Sequence, residues 1–193
     1  NSSATLASTV QVRNTGSVLA ASASSSSSTS QLTITNNNTI NVGHIGGANN
    51  TTLTATGASS DITVAEVPTA PLSLLSQGNI TLTAGRDIKV AHDHIEAGLG
   101  GTGSVTATAG GNIKLESQNA PTYIQAASGI NLTAGGGFFI DGSLGQISPY
   151  LSSTAGNVIV QTGAAGFKSG TVTGYGGTIS ASGGRWLVYA PSP

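Results

Sequence analysis

The chain has no cysteine and no methionine, and only 7% of its 193 residues are charged, against roughly 25% in an ordinary soluble domain. Without cysteine there is no disulfide framework and no thiolate-held metal. Lys and Arg number 6 against 7 Asp and Glu, a net charge of −1, so there is no basic footprint for nucleic acid or anionic lipid. No apolar run reaches the ~18 residues of a membrane-spanning helix, which argues against membrane insertion. No basic-then-apolar leader stands at Asn1, so an extracellular protein would be met here as a mature product or an excised piece. With little charge, solubility rests on Ser, Thr, Asn and backbone groups.

What is present is a repeat. Ile80-Thr-Leu-Thr-Ala-Gly-Arg-Asp-Ile-Lys-Val90 returns as Val105-Thr-Ala-Thr-Ala-Gly-Gly-Asn-Ile-Lys-Leu115 and as Ile130-Asn-Leu-Thr-Ala-Gly-Gly-Gly-Phe-Phe-Ile140. Looser copies begin at Val10, Leu32, Leu53, Val158 and Ile179, so successive starts lie 22, 21, 27, 25, 25, 28 and 21 residues apart by subtraction. Short alternating strands at this period are the mark of a solenoid. Period-two alternation turns Ile80 and Leu82 one way and Thr81 and Thr83 the other. A glycine turn follows, then a second strand with Ile88 and Val90 inward and Lys89 outward.

The inward set reads Val10/Val12/Val18, Leu32/Ile34/Ile40/Val42, Leu53/Ile62/Val64, Ile80/Leu82/Ile88/Val90, Val105/Ile113/Leu115, Ile130/Leu132/Phe138/Ile140, Val158/Val160/Phe167 and Ile179/Leu187/Tyr189. No single repeat buries its face alone, and stacking makes one core. The variable remainder of each repeat, including Tyr123-Ile-Gln-Ala126, reads as the third side and loops of a triangular coil. The expectation is an all-β, right-handed parallel β-helix of about eight coils, the hand following the rule for parallel crossovers. With strands ~4.8 Å apart its length is on the order of 40 Å. One domain spans 1–193, with 21–30 a serine-rich loop and 183–193 a closing strand and exit. Pro191 and Pro193 cannot feed a continuing ladder. Trp186, at a turn position by this count, is expected to cover the last edge.

The repeats Ile80-Thr-Leu-Thr-Ala-Gly-Arg-Asp-Ile and Gly129-Ile-Asn-Leu-Thr-Ala-Gly, with the tail Ser182-Gly-Gly-Arg-Trp-Leu-Val-Tyr-Ala-Pro-Ser-Pro193, resemble the β-helical segments of filamentous haemagglutinin-like exoproteins, the adhesins of bacterial two-partner secretion. The likeness runs from about Leu32 to Pro193. It implies a secreted, surface-associated adhesin or matrix fibre. The Asn-Pro motifs of that family's secretion domain are not present, so the resemblance implies an internal or C-terminal section.

Several residues carry candidate chemistry. The carboxylates Asp61, Glu66, Asp87, Asp93, Glu96, Glu116 and Asp141 form no carboxylate-plus-base constellation, so the chain reads as no enzyme, with a polysaccharide-degrading or polysaccharide-binding β-helix as the alternative. Asp61, Asp87 and Asn112 share one position before the second strand, where turn chemistry accounts for them. His92, His94 and Glu96 would share a face of an extended strand, an N,N,O set for a divalent metal, with a solvated loop as the competing reading and no cofactor expected. Lys89 and Lys114 fall one coil apart, with Phe139 continuing their column, a candidate contact for an acidic glycan or simply a solvated face. On the first strand Thr33/Thr35, Thr54/Thr56, Thr81/Thr83 and Thr106/Thr108, with Thr133 beyond, form Thr-X-Thr ladders. These are either structural or an ice-binding face. Trp186 and Tyr189 are candidates for end-to-end contact, so self-association or continuation in a longer fibre is the expected partnership.

Overall fold

The structure, a computed structural model, describes residues 9–14, 19–24, 30–65, 73–99, 101–117, 121–142, 148–170 and 176–191. Glu66, Val18 and Pro193 lie outside these. The first strands are β1 (Thr9–Asn14), β2 (Leu19–Ser24), β3 (Gln31–Asn36) and the long β4 (Ile40–Ala48). Then come β5 (Asn50–Ala55), β6 (Ile62–Ala65), β7 (Ser73–Ser76), β8 (Ile80–Ala84), β9 (Ile88–Ala91), β10 (His94–Ala97), β11 (Ser104–Ala109) and β12 (Ile113–Glu116). The remainder are β13 (Tyr123–Ala126), β14 (Gly129–Ala134), β15 (Gly137–Asp141), β16 (Tyr150–Ser153), β17 (Val158–Thr162), β18 (Gly166–Ser169), β19 (Thr178–Ala181) and β20 (Trp186–Tyr189). Among the described residues there is no helix, and every paired strand is parallel.

The result is a parallel β-solenoid in which about five turns, β5 through β19, carry a strand on each of three sides. The first side is an eight-stranded sheet, β1-β3-β5-β8-β11-β14-β17-β20. The second and third sides join into one sheet because β4 is continuous across their corner. Its Ile40–Val42 part pairs with β6, and its Ile45–Ala48 part pairs with β7.

Each inward position is a column along the axis. On the second side Ile40, Ile62, Ile88, Ile113, Phe138 and Phe167 lie in register, and the two phenyl rings stack at 5.7 Å. On the third side Ile45, Leu74, Ile95, Ile124 and Leu151 are fully buried. Full burial of such side chains contributes roughly 1.5–3 kcal/mol each. This third apolar column was only partly visible in the sequence, because the connections before it vary in length.

The ladder corrects the register at three places. Thr51, not Leu53, lies opposite Leu32 and Ile80. A polar residue fills an inward slot there, and an apolar pattern skips it. The last first-side strand is β20, with Trp186 opposite Val158 and Val188 opposite Val160. Trp186 and Val188 therefore belong to the inward columns, whereas Leu187 and Tyr189 follow the outward ones. Ile179 lies instead on the third side, opposite Leu151. Corresponding positions from Val10 to Trp186 are thus 22, 19, 29, 25, 25, 28 and 28 residues apart by subtraction. Part of the expected serine-rich loop is also strand, since β2 includes Ala21–Ser24. Ser30 is buried beside β3, and 25–29 lie outside the described residues.

Corners bring backbone against backbone. A Cβ at Gly85, Gly110, Gly135 or Gly163 would fall well inside contact distance of a glycine carbonyl oxygen in the preceding coil. Gly110→Ala is expected to cost about 1–3 kcal/mol as an overpacked site, read as a lowered midpoint in denaturant unfolding. Thr51 is the opposite case: it is 1% exposed and its Oγ1 has no hydrogen-bond partner. Thr51→Val should stabilise by about 1 kcal/mol by removing a buried unsatisfied hydroxyl. That would raise the melting temperature by about 2–4 °C in a chain of this size.

Candidate functional surfaces

On the first side the outward residues form two columns. One runs Thr33, Thr52, Thr81, Thr106, then Asn131, Ile159 and Leu187; the other runs Thr35, Thr54, Thr83, Thr108, Thr133, then Gln161 and Tyr189. Thr52 and Thr54 fill the two places expected of Thr54 and Thr56, and Thr56 lies beyond the strand. The Thr56 hydroxyl instead donates to Asn37 Oδ1 at 2.9 Å. The two-residue slip is the one that Thr51 causes.

On the second side Thr63, Lys89, Lys114, Phe139 and Lys168 form one outward column. The stacked lysines are relieved diagonally. Lys89 Nζ reaches Glu116 in the next coil at 2.7 Å, and Lys114 Nζ reaches Asp87 in the previous one at 3.8 Å. Half-exposed pairs of this kind contribute little net stability, but they cancel the charge a polyanion would need. Lys168 sits 5.8 Å from the centre of the Phe139 ring, within cation–π range, and covers one face that a sugar would use.

The corner between the first and second sides carries a chain of side-chain acceptors. The Asp61 N–H donates to Thr39 Oγ1 at 3.1 Å, and the Asp87 N–H to Asp61 Oδ1 at 3.1 Å. The Asn112 N–H donates to Asp87 Oδ1 at 2.6 Å, and the Gly137 N–H to Asn112 Oδ1 at 2.9 Å. Asp61, Asp87 and Asn112 therefore bond the next coil's backbone, beyond the local turn role expected of them. Arg86 grips Asp61 through both carboxylate oxygens, and this holds the Asp61 carboxyl below its ordinary pKa.

The third side holds a stack that sequence reasoning missed. His94 lies on Tyr123 with ring centres 4.6 Å apart, and Tyr123 on Tyr150 at 4.7 Å, planes within 12° and 5°. The separation is that of the coils, so the ladder imposes a face-to-face geometry that free rings avoid. The recurring openings His94-Ile-Glu-Ala97, Tyr123-Ile-Gln-Ala126 and Tyr150-Leu-Ser-Ser153 were the signal for it. Burial pushes Tyr123 up to about 12, with the Glu96 charge adding to the effect. Burial lowers His94, against a smaller opposing pull from Glu96. His94 and Glu96 share this face, but His92 does not. It stands at the corner with φ +57, its N–H bonded to Thr122 Oγ1 at 2.9 Å. Among the described residues no three His, Asp or Glu are grouped to hold a metal.

The corner between the third and first sides is an uncharged cleft of about 500 Å³ that includes Asn49, Asn50, Gln77 and Asn79. At the C-terminal end Trp186 is 60% and Tyr189 55% exposed. Compared with protein-family models, curated proteins and solved structures, the chain matches none of them.

The tyrosine stack sets an alkaline limit. Tyr123 has its folded pKa raised above 10.0, so its contribution to stability is complete below pH 10 and is lost as pH rises towards about 12. Melting temperature should fall across that interval. Tyr123→Phe, which keeps a stacking ring, should flatten the fall, and absorbance titration at the phenolate band should show the late ionisation directly.

Proposed function

We propose that this chain is a non-catalytic structural or adhesive section of an extracellular bacterial fibre, of the filamentous haemagglutinin-like kind. In this reading it is a right-handed coil counted as eight, one for each first-side strand. The observation that carries the proposal is the C-terminal end of the stack. Phe167, Ile179, Ala181 and Val188 continue the core columns but are only partly buried, while Phe138, Leu151 and Val160 beneath them are fully so. Strands β18, β19 and β20 are edge strands. Such an edge offers a backbone ladder and an apolar seat to another coil, whether from a longer chain or from a second copy. The Thr-rich first side supports a rod, and the pairing of Asp61, Asp87 and Glu116 with basic neighbours argues against a groove of catalytic acids.

A second reading, ice binding, has one observation in its favour. With Thr52 in register, four consecutive first-side strands present Thr-X-Thr. The columns give way to Asn131, Ile159 and Gln161, which favours the fibre. Thermal hysteresis in cold solution would reverse that preference.

The fibre reading expects concentrated protein to grow end to end into rods in electron micrographs and light scattering, with Trp186→Asp abolishing the growth. A chain that stays monomeric at high concentration rules out end-to-end stacking of copies. Depolymerisation of any acidic or neutral polysaccharide by the purified protein would overturn the non-catalytic assignment.

A further inference from the structure

The cleft at the third-to-first corner is lined by fixed polar groups and no charged side chain. Asn50 Oδ1 accepts the Asn79 N–H at 2.8 Å. Asn79 Oδ1 in turn accepts the Ser104 N–H at 3.0 Å and the Ser104 hydroxyl at 2.9 Å. Each carboxamide is therefore locked through its oxygen, leaving its NH2 as an oriented donor. The two donors repeat at the coil spacing, ~4.8 Å. Two glycines let the coils approach closely at the floor: a Cβ at Gly78 would meet Asn49 O, and one at Gly103 would meet Gly78 O. Asn49 Oδ1 also converges above Gly78, 3.0 Å from where a Cβ would stand, and Gln77 and Thr102 complete the walls.

The cleft does not stop there. A second hollow of about 250 Å³ shares Ser128 with it and continues along the axis to Asn131, Asn157 and Ile159. The two hollows follow one another along the rod axis, amides and hydroxyls lining the first and the partly exposed Ile159 standing in the second.

From this arrangement we infer that the third-to-first corner binds a neutral polysaccharide, its chain lying along the rod axis. The NH2 groups of Asn50 and Asn79 suit the oxygens of sugar hydroxyls, and the Gln77 carboxamide and Thr102 hydroxyl can both give and accept. An ionised ligand would be stripped of water with no counter-charge in the lining, which is unfavourable. A fully apolar one would leave the amides unpaired. The open cleft admits an internal stretch of a polymer, and its volume lies within the usual range for a ligand site. The inference narrows the adhesive reading to a surface and a ligand class, yet it holds for an isolated rod as well as a fibre. It also moves the glycan contact away from Lys89, Lys114 and Phe139.

The test is calorimetric titration and amide-detected NMR of the whole chain with neutral glucose and mannose hexasaccharides, and with polygalacturonate as the acidic probe. The inference expects the neutral probes to bind and to shift the side-chain NH2 resonances of Asn50 and Asn79. Gln77→Leu combined with Thr102→Val leaves the Asn50–Asn79–Ser104 chain intact. It should weaken binding about tenfold, as loss of two modest hydrogen bonds would, while Lys89→Gln leaves binding unchanged. No shift of the Asn50 and Asn79 amides with any neutral probe up to about 10 mM overturns the inference. So does binding confined to polygalacturonate and lost in Lys89→Gln. Should the double variant fail to fold, the amide shifts in the natural chain still decide. Rod growth is read separately, so failure here leaves the fibre reading standing.

Discussion

Backbone hydrogen bonds in this protein run along the rod axis, from each coil to the next, and that direction governs everything else. A residue's nearest neighbours are the residues at its own position one coil above and one below, ~4.8 Å away. What fills a position must therefore tolerate a near-copy of itself at that distance. Isoleucine on isoleucine does so along Ile40, Ile62, Ile88 and Ile113, threonine does so on the first side, and tyrosine rings do so by lying flat. Lysine on lysine does not. Lys89 and Lys114 are accommodated because each leans to a carboxylate in the other's coil. At the corners, where backbones approach most closely, glycine is the only solution at Gly110 and Gly135.

The two Asx corners solve a related problem. Where the chain leaves one sheet for the next, its N–H groups turn out of the ladder and need acceptors. Asp61, Asp87 and Asn112 at one corner, and Asn50 and Asn79 at the other, supply them across coils. These side chains extend the ladder around bends that backbone alone cannot bridge. At the second corner the same device leaves amide donors facing outward, so a structural need and a binding surface share residues.

Much of this was legible in the sequence, and the failures have particular causes. Period-two alternation and a fixed glycine turn expose the first two sides, since Ile80-Thr-Leu-Thr-Ala-Gly is written nearly unchanged in several coils. The third side blurs because connections before it differ: two residues separate β9 from β10, but seven, 66–72, separate β6 from β7. Thr51 misled the count because alternation is read from apolar residues and it is a polar residue facing inward. Ile179 resembled a first strand because both sides use short apolar pairs, and only pairing separates them. Surface columns were partly foreseen: Lys89, Lys114 and Phe139 do align. Their partners, Glu116 and Lys168, lie on other coils and have no fixed sequence offset.

The axial direction of the hydrogen bonds also decides how this rod would answer a pull. Tension applied between its ends loads the bonds of one coil-to-coil junction along their own direction, one junction after another, unlike a sheet sheared along its strands. Under such a load the molecule peels from its weakest end. Each coil of 25 residues, as between Ile80 and Val105, gives back on the order of 85 Å of extended chain for the ~4.8 Å of rod it gives up. Cross-coil bonds accepted by Asn79 and Asp87 add to the ladder at their junctions. A tether made of such coils yields by lengthening before it breaks.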